Sequence, residues 1–348
     1  MKLNLLDLNP TELKEYVTSL GFPAFRAKQI YEWLMKGVWS FNEMTNVPVA
    51  MRDVLEENSS VGLLKIRQKL QSEIDDTCKY IFCLEDGCII ESVLMKYKYG
   101  YSICISSQAG CRMGCKFCAS SDIPFSRSLS AGEMLAQILT VNRDKNIKIG
   151  HIVIMGIGEP LDNYENVIKF LRNVGEPLGV NISYRKISLS TCGVVPGIYR
   201  LAEENIPITL SISLHNPFDD QRSLIMPINR KYNLDKLLEA CNSYIVKSGR
   251  RITFEYAMIS GVNDSSEHAE KLSARLRGML CHVNLIPMNK VSGKSFERSH
   301  KRSIEQFSQI LEKSGISVTV RRELGRDINA ACGQLRKQHV ETETTESN

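Results

Sequence analysis

The sequence predicts an α/β protein: a parallel sheet closed or nearly closed into a barrel, behind a small helical module at the amino terminus. Three observations predict it. After residue 100, short strand-like runs alternate with longer segments of helical period, the pattern of repeated strand-helix units. Before residue 60 the apolar spacing is helical, and from Leu63 to Ile105 it turns strand-like. The segments rich in cysteine and glycine each fall just after a predicted strand, where such barrels collect their function. At 348 residues and 43% hydrophobic content, the chain exceeds one typical domain and can bury a large core.

The first helix is signed by Asn9 as its cap, Pro10 at the first helical position, Glu12 completing the cap and Gly21 as the stop. A second is expected from Ala24 to Gly37 and a third from Val49 to Glu57, with Trp33, Leu34, Trp39 and Phe41 as the module's core. Lys14, Arg26, Lys28 and Lys36 give the module a basic surface that suits a polyanion, although each alone reads as a solvated charge. Cys83 to Val93 reads as a hairpin around the Asp86-Gly87 turn. Within it, Glu91 reads by itself as an exposed strand position, because a lone carboxylate seldom enters a core.

Barrel strands are expected at Tyr101 to Ile105, His151 to Met155, Lys186 to Leu189, Thr209 to Leu214, Thr253 to Ala257, Val283 to Ile286 and Ser317 to Val320. Helices are expected between them at Ala131 to Asn142, Asn163 to Asn173, Leu234 to Lys247, Ser265 to Leu276 and Ser303 to Lys313. Residues 1–60 then form the module, 61–97 connecting strands, 98–336 the barrel with a C-terminal loop, and 337–348 a polar disordered tail.

A net charge of +5 permits an anionic partner without demanding one. No run is apolar for long enough to span a bilayer, and Met1 to Pro10 lacks the charged start and apolar run of a signal peptide, so a cytoplasmic protein is expected. The eleven cysteines, odd in number and irregularly spread, are expected to be reduced thiols or ligands.

Cys111, Cys115 and Cys118 lie in C-R-M-G-C-K-F-C. Three thiolates at this spacing hold three irons of a four-iron four-sulfur cluster and leave the fourth iron open to a substrate. Structural zinc would need a fourth ligand, but no adjacent cysteine or C-x2-C partner follows, and the next histidine is His151. A second motif, M-G-I-G-E-P at Met155 to Pro160, offers Glu159 as an acceptor for an ammonium, with Gly156 and Gly158 allowing close approach of backbone to a ligand. As a dinucleotide fingerprint this run lacks the third glycine and follows the wrong strand.

Together these two motifs resemble the radical S-adenosylmethionine (SAM) superfamily, in which the open iron is chelated by the amino and carboxylate groups of SAM. The likeness narrows with C-I-S-S-Q-A-G-C at Cys104 to Cys111, S-L-S-T-C-G-V-V-P at Ser188 to Pro196, I-S-L-H-N-P at Ile212 to Pro217, H-V-N-L-I-P-M-N at His282 to Asn289 and D-I-N-A-A-C-G-Q-L at Asp327 to Leu335. These resemble the ribosomal RNA adenine methyltransferase family, whose main branch modifies carbon 2 of an adenine in 23S ribosomal RNA and of an adenine in certain transfer RNAs. The resemblance covers nearly the whole chain.

It implies a partial (βα)6 radical SAM barrel with a small N-terminal helical accessory domain that binds RNA. One 4Fe-4S cluster would sit on Cys111, Cys115 and Cys118, and SAM would be contacted by Gly158, Glu159, Ser190, Ser213, Leu214, His215 and Asn289. Carbon 2 of adenine lies between two ring nitrogens and is too electron-poor for a polar methyl transfer. In the family, the cysteine matching Cys332 first takes a methyl group from one SAM by displacement. A second SAM is cleaved to a 5'-deoxyadenosyl radical, which removes hydrogen from that methyl group, and the resulting carbon radical adds to the adenine. The cysteine matching Cys104 then attacks the Cys332 sulfur, releasing RNA and leaving a disulfide to be reduced. Glu91 matches the proton acceptor at carbon 2. The partners implied are 23S rRNA and tRNA and an electron donor such as flavodoxin with its reductase, with the enzyme a monomer.

By the residues alone, Cys104 and Cys332 read as small buried hydrophobes, a reading that Cys78, Cys83, Cys88, Cys192, Cys241 and Cys281 keep. Arg185, Lys186, Lys290, Lys294, Arg298, Lys301, Arg302, Arg321, Arg322 and Arg326 cluster in the second half and together attract phosphates in a salt-dependent way. The target adenine must leave its stack to enter the barrel. Lys290 stands where many relatives carry proline and Asn329 where aspartate is frequent, which bears on local loop shape and substrate contacts. A sister branch methylates carbon 8 of the same ribosomal adenine; Pro160 after Glu159 weakly favours the carbon 2 branch. An activase would not require Cys332, and a non-enzymatic iron-sulfur or zinc RNA-binding module would not cleave SAM.

Overall fold

Residues after position 100 alternate apolar and small polar side chains along each strand, so one face of the sheet must be covered by helices while the other can curl around a ligand. The computed structural model describes residues 2–289, 291, 293–330 and 333–334. Ten strands form one sheet, and their order in space is their order in the chain. β1 (Lys65–Gln71), β2 (Cys78–Cys83), β3 (Ile89–Tyr97) and β4 (Gly100–Ile105) are an antiparallel meander. From β4 onward the sheet is parallel, through β5 (Ile149–Ile154), β6 (Ile187–Thr191), β7 (Thr209–Ser213), β8 (Ile252–Met258), β9 (Cys281–Pro287) and β10 (Ser317–Val320). The sheet stays open, with β1 and β10 as its edges. It is a partial barrel.

Each parallel step is crossed by helix, as right-handed connections require. Three helices form the amino-terminal module: α1 (Pro10–Ser19), α2 (Arg26–Met35) and α3 (Val49–Asn58). The crossovers are α4 (Ala131–Lys145), α5 (Tyr164–Gly175), α6 (Val195–Glu203), α7 (Asp219–Ile225), α8 (Leu234–Ser248), α9 (Ser266–Leu276) and α10 (Lys301–Lys313). Two of these, α6 and α7, go beyond the expected set: α6 carries Pro196 in its first turn, where a helix tolerates it, and α7 is too short to display a period. Ile103, Ile105, Ile152, Ile154, Leu189 and Ile212 pack under these helices in one apolar core. Among the described residues, no helix is long and apolar enough to cross a membrane.

Asn9 caps α1 as expected, accepting the N–H groups of Thr11 and Glu12 at 2.9 Å while Glu12 accepts from the Asn9 N–H. Leu34 and Phe41 are buried, but Trp39 is 46% exposed because Val38, one residue earlier, fills the core position. Trp33 is only partly covered; its indole N–H donates to Asn46 Oδ1 at 2.7 Å. Leu5, Leu6 and Leu13 join the barrel's own apolar core, so the module is packed onto the barrel rather than tethered to it. Asp7 accepts from the Gly132 N–H at 2.6 Å, where a Cβ on residue 132 would stand 2.7 Å from the Asp7 nitrogen.

The hairpin forms around Asp86-Gly87, but Glu91 departs from the exposed position expected of it. Glu91 is 0% exposed in mid-strand, on the face it shares with Val93, opposite Ile81. The buried Lys79 ammonium lies 3.7 Å from its carboxylate, a partner twelve positions away in sequence that strand pairing brings alongside.

Candidate active site

The loops after β4, β5, β6 and β7 meet at the carboxyl ends of the strands around a cavity of about 170 Å³. Cys111, Cys115 and Cys118 all line it. Their loop folds back on itself at Gly110, whose φ of +81° and close approach to the Pro124 carbonyl, 2.1 Å from where a Cβ would stand, admit no side chain. It is then fixed by backbone bonds from Lys116 N–H to Ile225 O at 2.9 Å and from Ala119 N–H to Gly333 O at 2.8 Å.

The thiols suit an iron-sulfur cluster. Burial pushes Cys111 up to about 11 and raises Cys115 and Cys118 as well, so thiolates here require a cation close by. All three cysteines line one cavity, as three thiolates that each hold a separate iron require.

Glu159, Gly158, Ser190, Ser213, His215 and Asn289 line the same cavity. Glu159 is buried, and its two oxygens already accept the N–H groups of Leu161 at 3.0 Å and Cys192 at 2.8 Å; burial raises its pKa, against the lowering by these bonds. It therefore ties the β5 loop to the β6 loop and keeps lone pairs for a ligand ammonium. The two glycines beside it line the cavity, and each also has protein close behind it. A Cβ at Gly156 would lie 2.6 Å from the Ile105 carbonyl, and one at Gly158 2.5 Å from Gln108 Cβ, so they let the loop pack against β4 and its continuation.

His215 sits in the left-handed region at φ +57°, and its Nδ1 accepts the Ala257 N–H at 2.9 Å. Burial, with the Arg222 charge second, lowers its pKa to about 3, so the ring is neutral and Nε2 carries the hydrogen as a donor. Leu214 does not reach the cavity: its side chain is in the core, its N–H bonds the Glu255 carbonyl and its carbonyl accepts from Arg222. Only by shaping the backbone between Ser213 and His215 does it act on the site.

Two residues escaped the motifs. Arg222 is wholly buried beneath the cavity, donating to the carbonyls of Leu214, Cys192 and Ser213 at 2.9 Å each and to Asn229 Oδ1 at 2.7 Å. In sequence it looks like any arginine of a short polar helix. Glu255 lines the cavity from β8, is raised in pKa by burial, and accepts from Asn284 at 2.7 Å. Its signal was legible: like Glu91, it is a carboxylate inside an apolar strand.

Cys104 lines a second, smaller cavity of about 40 Å³, room for a few water-sized groups, with Val93, Met95, Tyr97, Leu324 and Ala330. Met155, Ile286, Asn289 and Arg321 line both cavities and so form the wall between them. Glu91 lines neither, although it shares the β3 face with Val93 and Met95. Cys332 and Lys290 lie outside the described residues. On either side of Cys332, Ala330 lines the second cavity and Gly333 the first. The segment before it is moored to the meander: Asp327 accepts from Ser72 Oγ at 2.7 Å and Glu73 N–H at 2.8 Å, Asp75 from Gly325 N–H at 2.8 Å, and the Asn329 carbonyl from Lys79 at 3.3 Å. Asn329 adopts φ +49°, which asparagine tolerates well.

Of the basic residues, Lys294 pairs with Asp122, Arg298 with Glu323 at 2.6 Å and Lys301 with Glu305 at 3.6 Å, so their charge is partly met within the chain. Arg185, Lys186, Arg302, Arg322 and Arg326 are exposed.

Comparison with known proteins gives the same picture at two levels. Residues 105–272 match the radical SAM superfamily and residues 3–61 the ribosomal RNA large subunit methyltransferase N-terminal domain. The chain is 52% identical to a probable dual-specificity RNA methyltransferase RlmN of Desulforamulus reducens, covering 97% of each, and 51% identical to one of Clostridium tetani, covering 99% of each. Among solved structures, it superposes on a radical SAM methyltransferase from Sphaerobacter thermophilus with a TM-score of 0.93 and 42% identity, over 96% of this chain and 99% of that one.

Proposed function

Because this chain belongs to the radical SAM superfamily and, within it, to the dual-specificity RNA methyltransferases, we propose that it methylates carbon 2 of an adenine in 23S ribosomal RNA and in certain transfer RNAs. One observation carries the reading. The cavity lined by the three-thiol set and the cavity lined by Cys104 share a wall, and residues flanking Cys332 line both. A radical source without a second cysteine would serve many reactions; the neighbouring thiol points to methyl transfer through sulfur.

Cys111, Cys115 and Cys118 would hold the 4Fe-4S cluster, which with SAM supplies one-electron sulfonium cleavage to a 5'-deoxyadenosyl radical. The protein's own groups do the rest. Glu159 offers acceptors to the SAM ammonium, and Nε2–H of neutral His215 offers a donor beside it. Cys332 carries the methyl group, taken from a first SAM by displacement at its thiolate. Glu91, buried beside Lys79 on the strand face that continues into the second cavity through Val93 and Met95, would accept the proton lost from carbon 2 once the bound adenine reaches it. The Cys104 thiolate attacks the Cys332 sulfur, forming a disulfide and breaking the sulfur–methylene bond; the electron pair goes to the methylene carbon, which takes a proton to become the methyl group of the freed RNA, and the cell must reduce the disulfide. The amino-terminal module and the exposed cations hold RNA phosphates, and an electron donor such as flavodoxin with its reductase serves the monomer in the cytoplasm.

Mass spectrometry of adenines from RNA treated with cluster-loaded enzyme tests this. We expect 2-methyladenosine, with S-adenosylhomocysteine and 5'-deoxyadenosine each formed once per methyl group. A carbon 8 product would move the enzyme to the sister branch, and SAM cleavage without RNA methylation would overturn the proposal.

A further inference from the structure

The turn joining β3 to β4 carries a ladder of aromatic rings that neither cavity's chemistry requires. Tyr97 and Tyr99 stack face to face with centroids 4.9 Å apart and planes 9° from parallel, and His151 of β5 meets Tyr99 edge-on at 4.6 Å and 62°. One end of the ladder is inside and the other is in water. Tyr97 lines the cavity that holds Cys104, while Tyr99 is 62% exposed. Burial, and then the charge of Lys186, lower the pKa of His151, so its ring adds neutral π surface.

The surroundings are basic. Lys96 and Lys98 flank the rings in the chain, Lys186 acts on His151, and Arg322 lines the same cavity as Tyr97; all four are exposed. Lys96 has an exposed ion pair with Asp76 at 3.5 Å, which holds it weakly. A protein-docking hot spot would be expected to surround such rings with apolar surface depleted of lysine. Preformed parallel rings among cations suit unpaired nucleobases, which stack on π faces while their phosphates meet the charges.

We propose that Tyr97, Tyr99 and His151 form a stacking platform for the unpaired nucleotides flanking the target adenine, holding single-stranded RNA at the mouth of the Cys104 cavity. This rests on the RNA methyltransferase reading. Stacking tolerates any base, so the platform fixes the strand while the base chosen for reaction is read elsewhere.

The test uses the cluster-loaded full chain under anaerobic conditions with an RNA hairpin whose loop contains the target adenine. Tyr99→Ala should raise KM and Kd for the hairpin by about 5- to 150-fold, the effect of losing one base stack, with the loss in KM and not in kcat. Tyr99→Trp should restore binding, because the ring and not the hydroxyl matters. The salt dependence of binding should keep its slope in Tyr99→Ala and become shallower in Lys186→Ala. Unchanged hairpin binding by Tyr99→Ala would overturn the platform, as would a defect seen with a protein electron donor but absent with dithionite. Wild-type enzyme that neither binds nor methylates RNA would overturn the platform and the parent reading together; methylation by wild type with an equal Tyr99→Ala would sink the platform alone.

Discussion

The two adjoining cavities share four wall residues and have mostly apolar linings, but they are held in place differently. In the three-thiol cavity polar groups are pinned from behind: Glu159 bridges two loops through backbone N–H groups, His215 is held by Ala257, and Arg222 gathers three carbonyls. The Cys104 cavity is walled largely by apolar side chains, with a C-terminal segment lashed to the meander by Asp327 and Asp75. The contrast teaches a division of labour. On the proposed reading, the fixed polar contacts of the first cavity would orient a cofactor, whereas the second cavity sets the Cys104 thiol beside the moored C-terminal segment.

The sharpest way to break this division is to remove one thiol from each side. Cys115→Ala should lose the cluster's visible absorbance and all 5'-deoxyadenosine formation while staying folded by circular dichroism. Cys104→Ala should keep both signals and stop at protein covalently joined to RNA, visible as a shifted band on a denaturing gel. If Cys104→Ala turns over like wild type, the second cavity has no part in release and the comparison fails.

Next in size is Arg222→Met, which tests whether the first cavity depends on its buried clamp. The substitution strands three buried carbonyls and the Asn229 side chain, each lost partner costing about 1–3 kcal/mol. Part of this is recovered by relaxation, so we expect a loss of about 3–5 kcal/mol in denaturant unfolding, with weaker cluster retention. A loss below about 1 kcal/mol would mean that the loops hold themselves.

What the sequence made legible follows from which forces are local. Alternating side chains marked β10 at Ser317–Val320 and β7 from Thr209 to within a residue of their ends, and the cap at Asn9 marked α1 to the residue. The barrel's directionality then put the Cys111, Glu159 and His215 loops together with Ser190 at the end of β6, because all lie at the carboxyl ends of parallel strands. What stayed hidden depends on partners distant in the chain. Nothing near Arg222 says that carbonyls thirty positions away will surround it, and nothing near Glu91 says that Lys79 will lie alongside. Gly156 and Gly158 are ambiguous for the same reason: both line the first cavity and both press on neighbouring protein, and a glycine advertises close approach without saying which of the two requires it.

The smallest predicted effect concerns His215 and sharpens the claim that the first cavity is fixed before any ligand binds. A histidine in the unfolded chain titrates near 6.5, whereas burial lowers His215 to about 3. Between these values the unfolded chain holds one more proton, so this group's support for folding is complete above about 6.5 and is lost as pH falls toward 3. At pH 5 the loss is about 2 kcal/mol relative to pH 8. His215→Gln keeps an oxygen that can accept the Ala257 N–H but cannot titrate, so its urea midpoint should move less between pH 7.5 and pH 5 by about that amount. Glu159 and Glu255, raised in pKa by burial, titrate in both proteins and cancel in the difference. Parallel pH dependences for the two proteins would mean that His215 reaches solvent and protonates in the folded state, and the pinned polar groups of the first cavity would then be as adaptable as the moored segment of the second.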